Sequence, residues 1–323
     1  MAQSRLKIFT WHIHGSYLFY LSQGNYDIFI PTKPEKTEGY YGRGETFPFG
    51  PNVIEVPAEE VKNREFDVIL YQTNQNYLID QYEILSPEQR ELPKVYIEHD
   101  PPRQHPTDTK HAVNDQNVNL VHVTHFNSLM WDCGQTPTTV IEHGVTAPGA
   151  AYTGEKPRGI VVINNLPLRG RLLGLDIFLK VREHVPIDLV GMGTGDLGLG
   201  EVLHPQLPEF ISKYRFFFNP IRYTSLGLAV CEALMQGIPV VGLATTELSA
   251  VIDNGRSGFI HTDVNYLIDK MNLLIEDADL ARQIGAGGRE LAQNRFNIMR
   301  FTHDWEQLFN RVTSQAKSSI YIS

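Results

Sequence analysis

The stretch that most restricts what this chain can become runs from Arg215 to Val241, RFFFNPIRYTSLGLAVCEALMQGIPVV. Phe216, Phe217 and Phe218 form a short apolar run stopped by Asn219-Pro220, the pattern of a strand covered on both faces. Leu228 to Gln236 has only a helical reading, and Gly237 followed by Pro239 ends it. Val240-Val241 then opens another apolar strand. Buried strand, turn, helix, glycine stop and buried strand is the building unit of an α/β sheet wound with helices.

Glu232 is out of character in that helix, because Val230, Cys231, Ala233, Leu234 and Met235 around it are apolar. A helix apolar on all sides is a buried one. A carboxylate there is costly unless it is paired or a polar cleft receives it. Seven residues make two helical turns to within about 20°, so a helix begun at Ser225 sets Ser225 and Glu232 on one face, about 10 Å apart. Its amino end offers the N–H groups of Ser225, Leu226 and Gly227, and the glycine lets an anion approach the backbone closely. An anion socket followed two turns later by a hydroxyl-accepting carboxylate suits the diphosphate and ribose of a nucleotide-sugar. The alternative is that Glu232 is a solvated residue on an amphipathic helix.

The same stretch resembles the signature segment of retaining glycosyltransferases of family 4. Their pattern is Pro, three residues, Glu, two residues, Gly-Leu, and a second Glu eight positions after the first. Pro220, Tyr223, Gly227, Leu228 and Glu232 fall in register, and Thr224 stands where the first Glu would be. The resemblance implies a GT-B fold: α/β, two facing Rossmann-like doubly wound parallel-sheet domains with an interdomain cleft. It gives Glu232 the ribose of the donor and places Thr224 at the donor sugar. The donor phosphates fall to Ser225, Leu226, Gly227 and Leu228.

A chain of 323 residues, 42% hydrophobic and 20% charged, suits two globular domains, each burying its own core. The net charge of −9 is uneven: residues 1–150 carry 11 basic against 19 acidic side chains, and residues 151–323 carry 17 against 18. That balance argues against a nucleic-acid groove or anionic-lipid docking through the first half, and favours the second half for an anionic donor. With no signal peptide and no apolar run long enough to span a bilayer, a cytoplasmic protein without a transmembrane segment is expected. Cys133 and Cys231 fall in helix-like segments without metal-ligand spacing, and read as buried free thiols.

From the amino end, Leu6–Trp11 reads as a strand, His12-Ile13-His14-Gly15 as a turn, and the residues from Ser16 as a helix. This is the start of a doubly wound sheet, whose ligands gather beyond the carboxyl ends of the strands. Two histidines without a third ligand do not make a metal site, and none is expected. Gly15 matches the family's glycine turn at the donor phosphates. Tyr26–Ile30 is a strand, and residues 31–51 form a Pro/Gly-rich loop carrying Tyr40, Tyr41, Phe47 and Phe49, either a binding loop or plain surface. Phe66–Tyr71 and Lys94–Glu98 are strands around a helix at Asn76–Leu85. His99 follows at a carboxyl strand end, where the resemblance places a histidine at the donor sugar; capping the loop is the alternative. Residues 101–117 receive the acceptor or are simply solvated. Asn119–Val123 and Thr139–Glu142 are strands flanking a helix at Asn127–Trp131. Val140–Val145 resembles the family's entry into the interdomain linker, and residues 146–158 are small and polar, as a hinge should be. The expected domains are 1–148 on the acceptor side and 149–310 for the donor, with a tail at 311–323 that frays from Ser314.

In the second domain Ile160–Ile163 and Ile187–Val190 are strands around a helix at Leu175–Arg182. Where the family grips diphosphate with an Arg and then a Lys-Gly pair, this chain has Leu168 and Leu173-Gly174. The cation is then expected from Arg169 or Arg171, unless both are solvated loop residues. Gly191–Gly195 lacks Rossmann spacing and resembles a glycine turn of the family, so no nicotinamide cofactor is read there. Glu247 is expected to begin a helix, where its charge suits the dipole. Three helices follow near 264–275, 279–293 and 298–310, and the resemblance implies that the last crosses back to the first domain, with Trp305 packing across the hinge. The implied activity is transfer of a sugar from a nucleoside diphosphate sugar to a hydroxyl acceptor (glycan, lipid or small molecule) with retained configuration. Neither metal nor cofactor is needed. The rival is a catalytically weak or inactive nucleotide-sugar sensor or scaffold, supported by Thr224, Leu168 and Leu173; sugar-nucleotide epimerisation is a third possibility.

Overall fold

The structure is a computed structural model that describes residues 5–320. By its contacts the chain divides into two compact units, Met1–Glu142 with Ile298–Ser323, and His143–Asn297. The sequence reading had put limits at 148 and 310; here the chain's final helix counts with the first unit. Residues 1–4, and 321–323 of the expected tail, lie outside the described residues.

The first unit opens with β1 (Leu6–Thr10), α1 (Gly15–Leu21), β2 (Tyr26–Thr32), β3 (Val53–Pro57) and β4 (Val68–Tyr71). It continues with α2 (Gln81–Ile84), β5 (Lys94–Glu98), β6 (Val118–His122), α3 (His125–Met130) and β7 (Thr138–Val140). The seven strands form one parallel sheet in the order β3-β2-β1-β4-β5-β6-β7, with Ile8 opposite Ile28 on one side and Val68 on the other. The sheet is parallel because its central strands are apolar on both faces, as Ile8, Phe9, Val68, Ile69 and Leu70 show. Trp11 stacks on Tyr71 at 5.9 Å between ring centres.

Two elements differ from expectation. β3 is an edge strand the sequence hid, since only Val53 and Val56 carry its inward pattern. The helix expected over Asn76–Leu85 begins as a wide π-type turn, Asn76–Asp80. Within that turn the buried Asp80 carboxylate accepts from Asn76 Nδ2 at 2.8 Å and from Gln75 Nε2 at 2.9 Å.

Cys133 lies in the loop after α3 rather than in a helix, half-buried, with its Sγ 3.4 Å from Nε2 of the fully buried His122. Burial, helped by neighbouring His111, pushes the His122 imidazole down to about 4, and burial pushes the Cys133 thiol up to about 11.

The second unit contains β8 (Lys156–Val162), α4 (Leu166–Arg169), α5 (Leu175–Arg182), β9 (Ile187–Val190), α6 (Leu207–Ser212) and β10 (Tyr214–Asn219). After them come α7 (Leu228–Gln236), β11 (Val240–Leu243), α8 (Leu248–Val251), β12 (Gly258–His261), α9 (Val264–Glu276) and α10 (Ala278–Arg295). Its parallel sheet has the order β12-β11-β10-β8-β9. Every residue of β10 is buried, and Phe216 and Phe218 join Val161, Phe178, Leu189 and Met271 in one core. Helix α7 stops as expected, with Gly237 in the left-handed region at φ 82°. Glu247 stands at the start of α8, as expected, and is buried and paired with Arg295 at 3.0 Å.

The last element among the described residues is α11 (Ile298–Ile320), which counts with the first unit. It runs past Ser314, where fraying was expected, and no glycine or proline interrupts Ile298–Ile320. Trp305 is fully buried, donating from Nε1 to Tyr17 Oη at 3.2 Å, and Phe309 packs edge-on against Tyr26 at 5.2 Å.

Trp305→Ala should cost about 3–5 kcal/mol of stability in denaturant unfolding, with Trp305→Phe losing less. Acid sensitivity gives a second check. The His122 value near 4 lies below the unfolded value near 6.5, so between them the unfolded chain binds more protons. Stability should therefore fall as pH drops from about 6.5 toward about 4, and His122→Gln should flatten that slope in melting curves.

Candidate functional site

In the second sheet the chain runs from β8 outward to β9 and then crosses back to β10 on the other side of β8. The carboxyl ends of β8 and β10 therefore border the point where strand order reverses, the place where doubly wound sheets collect ligands. Three loops rise there, at 163–174, 191–206 and 220–227. The first two are tied together, since Asn165 N donates to Met192 O at 2.6 Å and Met192 N to Asn164 Oδ1 at 2.9 Å. The first and third meet at Gly174, whose φ is +81° and whose place a Cβ could not share with the Pro220 carbonyl oxygen. Arg222 N and Tyr223 N both donate to Leu172 O, at 3.1 and 3.3 Å.

Two cations on these loops, Arg171 and Arg222, share one carboxylate. Arg222 grips Asp176 with two parallel bonds, Nη1 to Oδ1 at 2.5 Å and Nη2 to Oδ2 at 2.8 Å, and also donates to the Arg171 carbonyl at 2.9 Å. Arg171 Nη1 reaches the same Asp176 at 2.6 Å while its side chain stays 76% exposed. Two guanidinium groups against one carboxylate leave this cluster a net positive charge. Hydrogen bonds from Arg222 hold the Asp176 carboxyl below its ordinary range. Arg169 closes the short helix α4. Leu168, in the family's Arg position, is 86% exposed, whereas Leu173, in the Lys position, is buried in the core. Sequence reasoning named Arg169 and Arg171 and passed over Arg222, although Arg222 sits inside the signature segment.

The start of α7 corrects the expected spacing. Gly227 is the residue before the helix, in extended conformation at φ −73° and ψ 142°, so Ser225 and Leu226 precede the helix and share no helical face with Glu232. Leu226 is the reason: its side chain is buried, and its carbonyl oxygen accepts from His143 Nε2 at 2.8 Å. A carbonyl can only accept, so that nitrogen of His143 carries the hydrogen. Anchored in this way, the chain does not enter the helix until after Gly227. The first helical N–H groups, those of Leu228 and Ala229, have no carbonyl one turn back inside the helix. Around Gly227 there is open space, with nothing within 4 Å of where a Cβ would lie. Thr224 is half-buried just upstream, and the Ser225 Oγ is buried without a hydrogen-bond partner among the described residues.

Along α7 only Leu228, Ala229 and Glu232 are partly exposed; Val230, Cys231 and Ala233 to Gln236 are buried. The open stripe thus runs one turn, about 6 Å, from the helix start to Glu232 rather than the two turns expected. Glu232 is not in bulk water. Its Oε1 accepts from His204 Nε2 at 3.3 Å, with the two side chains 17% and 18% exposed. His204 is a residue the sequence reading missed, since nothing in local spacing connects it with α7.

In the first unit His99 meets the residue before Gly15, His14. His99 follows β5 with its ring 4.0 Å from that of His14 and edge-on to Tyr17 at 4.8 Å. Gly15 is the first residue of α1, and a Cβ there would overlap the Phe47 ring and come within 3.0 Å of His12 Nε2. The aromatic loop therefore packs over this glycine. His12 is buried and donates from Nδ1 to the Gly42 carbonyl at 2.5 Å, turned to that loop while His14 meets His99. Among the described residues no three His, Cys, Asp or Glu side chains are grouped to hold a metal ion.

Comparison with known proteins bears on this arrangement. Residues 184–277 match the model of the family described as Glycosyl transferases group 1, a span that holds His204, Arg222, Thr224 to Leu228 and Glu232. Trehalose synthase of Thermococcus litoralis is 34% identical over 84 residues, covering 26% of this chain and 20% of that protein. Alpha-maltose-1-phosphate synthase of Mycolicibacterium smegmatis is 27% identical over 130 residues, 38% of this chain and 34% of that one. The matches thus span only a fifth to a third of those relatives. Over nearly the whole chain, the sucrose-phosphate synthase of Thermosynechococcus elongatus superposes with a TM-score of 0.69, covering 96% of this chain and 100% of that one at 15% identity. The chain has the GT-B fold. The Anabaena protein HepE, solved in complex with UDP and glucose, is a further structural neighbour with this fold, at TM-score 0.66 and 15% identity over 95% of this chain and 100% of its own. No helix among the described residues is long and apolar enough to cross a membrane.

Arg222→Gln should return the Asp176 carboxyl toward the ordinary value near 3.9, read by carboxyl NMR titration. Because the folded value is depressed, its stabilisation is present above the unfolded value and is lost as pH falls through the folded one. The variant should therefore lose less stability than the parent on acidification below about 4.

Proposed function

We propose that this chain is a glycosyltransferase that moves a sugar from a nucleoside diphosphate sugar to a hydroxyl acceptor with retained anomeric configuration. The observation that carries the reading is the open stripe of α7: N–H groups at Leu228 and Ala229 that have no intrahelical carbonyl, clear space at Gly227, and a shielded Glu232 carboxylate one turn on. The stripe lies wholly within the segment that matches the group 1 glycosyl transferases, and a neighbour of the same fold was solved with UDP and glucose. In this reading the amino end of α7, with Ser225 to Leu228, receives the diphosphate, and Glu232 accepts from the ribose hydroxyls. Arg222 and the two arginines on the 163–174 loop add positive charge beside the leaving group.

The bond from the anomeric carbon to the β-phosphate oxygen breaks, and the acceptor oxygen bonds to that carbon on the same face. The acceptor's proton leaves with the diphosphate. Positioning and charge stabilisation carry the rate, so no metal or cofactor is called for. Thr224 is assigned to the donor sugar. The first unit is assigned a sugar-like or lipid-like acceptor, and His99 and Gly15 belong to its share of the reaction.

A second reading, a nucleotide-sugar sensor, is favoured by one observation: the family's two diphosphate-gripping positions hold an exposed Leu168 and a buried Leu173, while Asp176 already draws on Arg171 and Arg222.

Radiolabelled UDP-, GDP-, ADP- and TDP-sugars separate the two. Slow donor hydrolysis is expected with one of them, insensitive to EDTA. Glu232→Ala should lower kcat/KM about 10- to 100-fold, the loss of charge-assisted hydrogen bonds of roughly 1.5–3 kcal/mol. Donor binding with no turnover, in the presence of a broad acceptor panel, would instead establish the sensor.

A further inference from the structure

His204 has no place in the reading from sequence, yet it is built into the candidate site at two points. Its Nε2 reaches Glu232 Oε1 at 3.3 Å, and a carboxylate only accepts, so the hydrogen sits on Nε2. Four residues further along each segment, Gln236 Nε2 donates to the Pro208 carbonyl at 2.7 Å. Gln236 and Leu207 are both buried. The stretch His204–Pro208 is therefore laced to α7 in register, one tie per helical turn, and the imidazole is carried by anchored backbone rather than by a loose loop. A glutamate on a helix has three rotatable side-chain bonds, and ordering them is entropically unfavourable when a ligand binds. A carboxylate already held in one orientation avoids that loss.

Resting on the assignment of Glu232 to ribose, we infer that His204 is a positioning residue of the donor site. It fixes the Glu232 carboxylate in the orientation that meets the vicinal hydroxyls of a ribonucleoside diphosphate, and so sets the preference for ribose over 2′-deoxyribose. It acts through Glu232 and not on the phosphates.

The test is calorimetric binding of UDP, GDP, ADP, their 2′-deoxy counterparts and pyrophosphate to the full chain, with melting curves alongside. For the ribonucleotide that binds best, His204→Ala should weaken affinity about 3- to 10-fold, in the range of one hydrogen bond. Pyrophosphate affinity should not change, and the ribose-to-deoxyribose ratio should shrink. His204→Gln, which keeps an N–H donor, should restore most of both. In a Glu232→Ala background, His204→Ala should cause no further loss, as expected of two groups acting as one unit.

An unchanged nucleotide affinity in His204→Ala, beside a clear loss in Glu232→Ala, would overturn the role of His204 and leave the ribose assignment standing. An equal loss in the presence and absence of Glu232 would also overturn it, showing independent contact. Weakened pyrophosphate binding would point to a purely structural role for the histidine and reject the inference. If Glu232→Ala binds nucleotides as well as the parent, or no ribonucleotide binds at all, the ribose assignment fails first and the inference with it.

Discussion

The second unit depends on where α7 is allowed to begin. A helix can start anywhere its propensities permit; here a buried leucine and one hydrogen bond from His143 to the Leu226 carbonyl hold the backbone out of the helix until after Gly227. That anchor decides which N–H groups are left pointing outward, and therefore where an anion can be received. It also decides which helical residues line the open side. Had the helix begun at Ser225, the backbone amides of Leu228 and Ala229 would have been consumed by the helix itself. The electrostatic character of the site is thus set by a contact between an imidazole and a carbonyl, neither of which need touch a ligand.

Most of the architecture was legible, and the reason is local. Phe216 to Phe218, Ile187 to Val190 and Lys94 to Glu98 are short apolar strands bounded by turn residues, and Leu175–Arg182 and Leu228–Gln236 are helices with clear stops. Such segments announce themselves because each face is buried by the same kind of neighbour. β3 did not, since an edge strand with Glu55 at its centre and Pro57 at its end carries too little alternation to stand out from the loop before it. The helix at 298–310 was read too short: α11 runs on to Ile320, and no glycine or proline in that stretch stops it.

The candidate site was legible in its residues and less so in its geometry. Glu232 could be picked out because a charge among apolar neighbours is conspicuous at short range. Its partner His204 lies 28 residues earlier, Arg222 finds Asp176 across 46 residues, and His143 finds Leu226 across 83. No periodicity links such pairs; only the sheet order brings them together. Spacing along a sequence therefore gave the participants at α7, while the start of the helix and the sharing of cations had to come from long-range contacts.

The placement of α11 bears on how the molecule is made. The sheet of the first unit is complete in the first 142 residues, yet Trp305 and Phe309, which cover Tyr17 and Tyr26, arrive only after the whole second unit has been synthesised. Domains tend to fold as their residues leave the ribosome, amino-terminal ones first. Here the earlier-born sheet must wait, with Tyr17 and Tyr26 uncovered, until α11 has followed the second unit off the ribosome. The nascent chain thus carries an adhesive surface while the second unit is being made, and α11 is the clasp that ends this exposure.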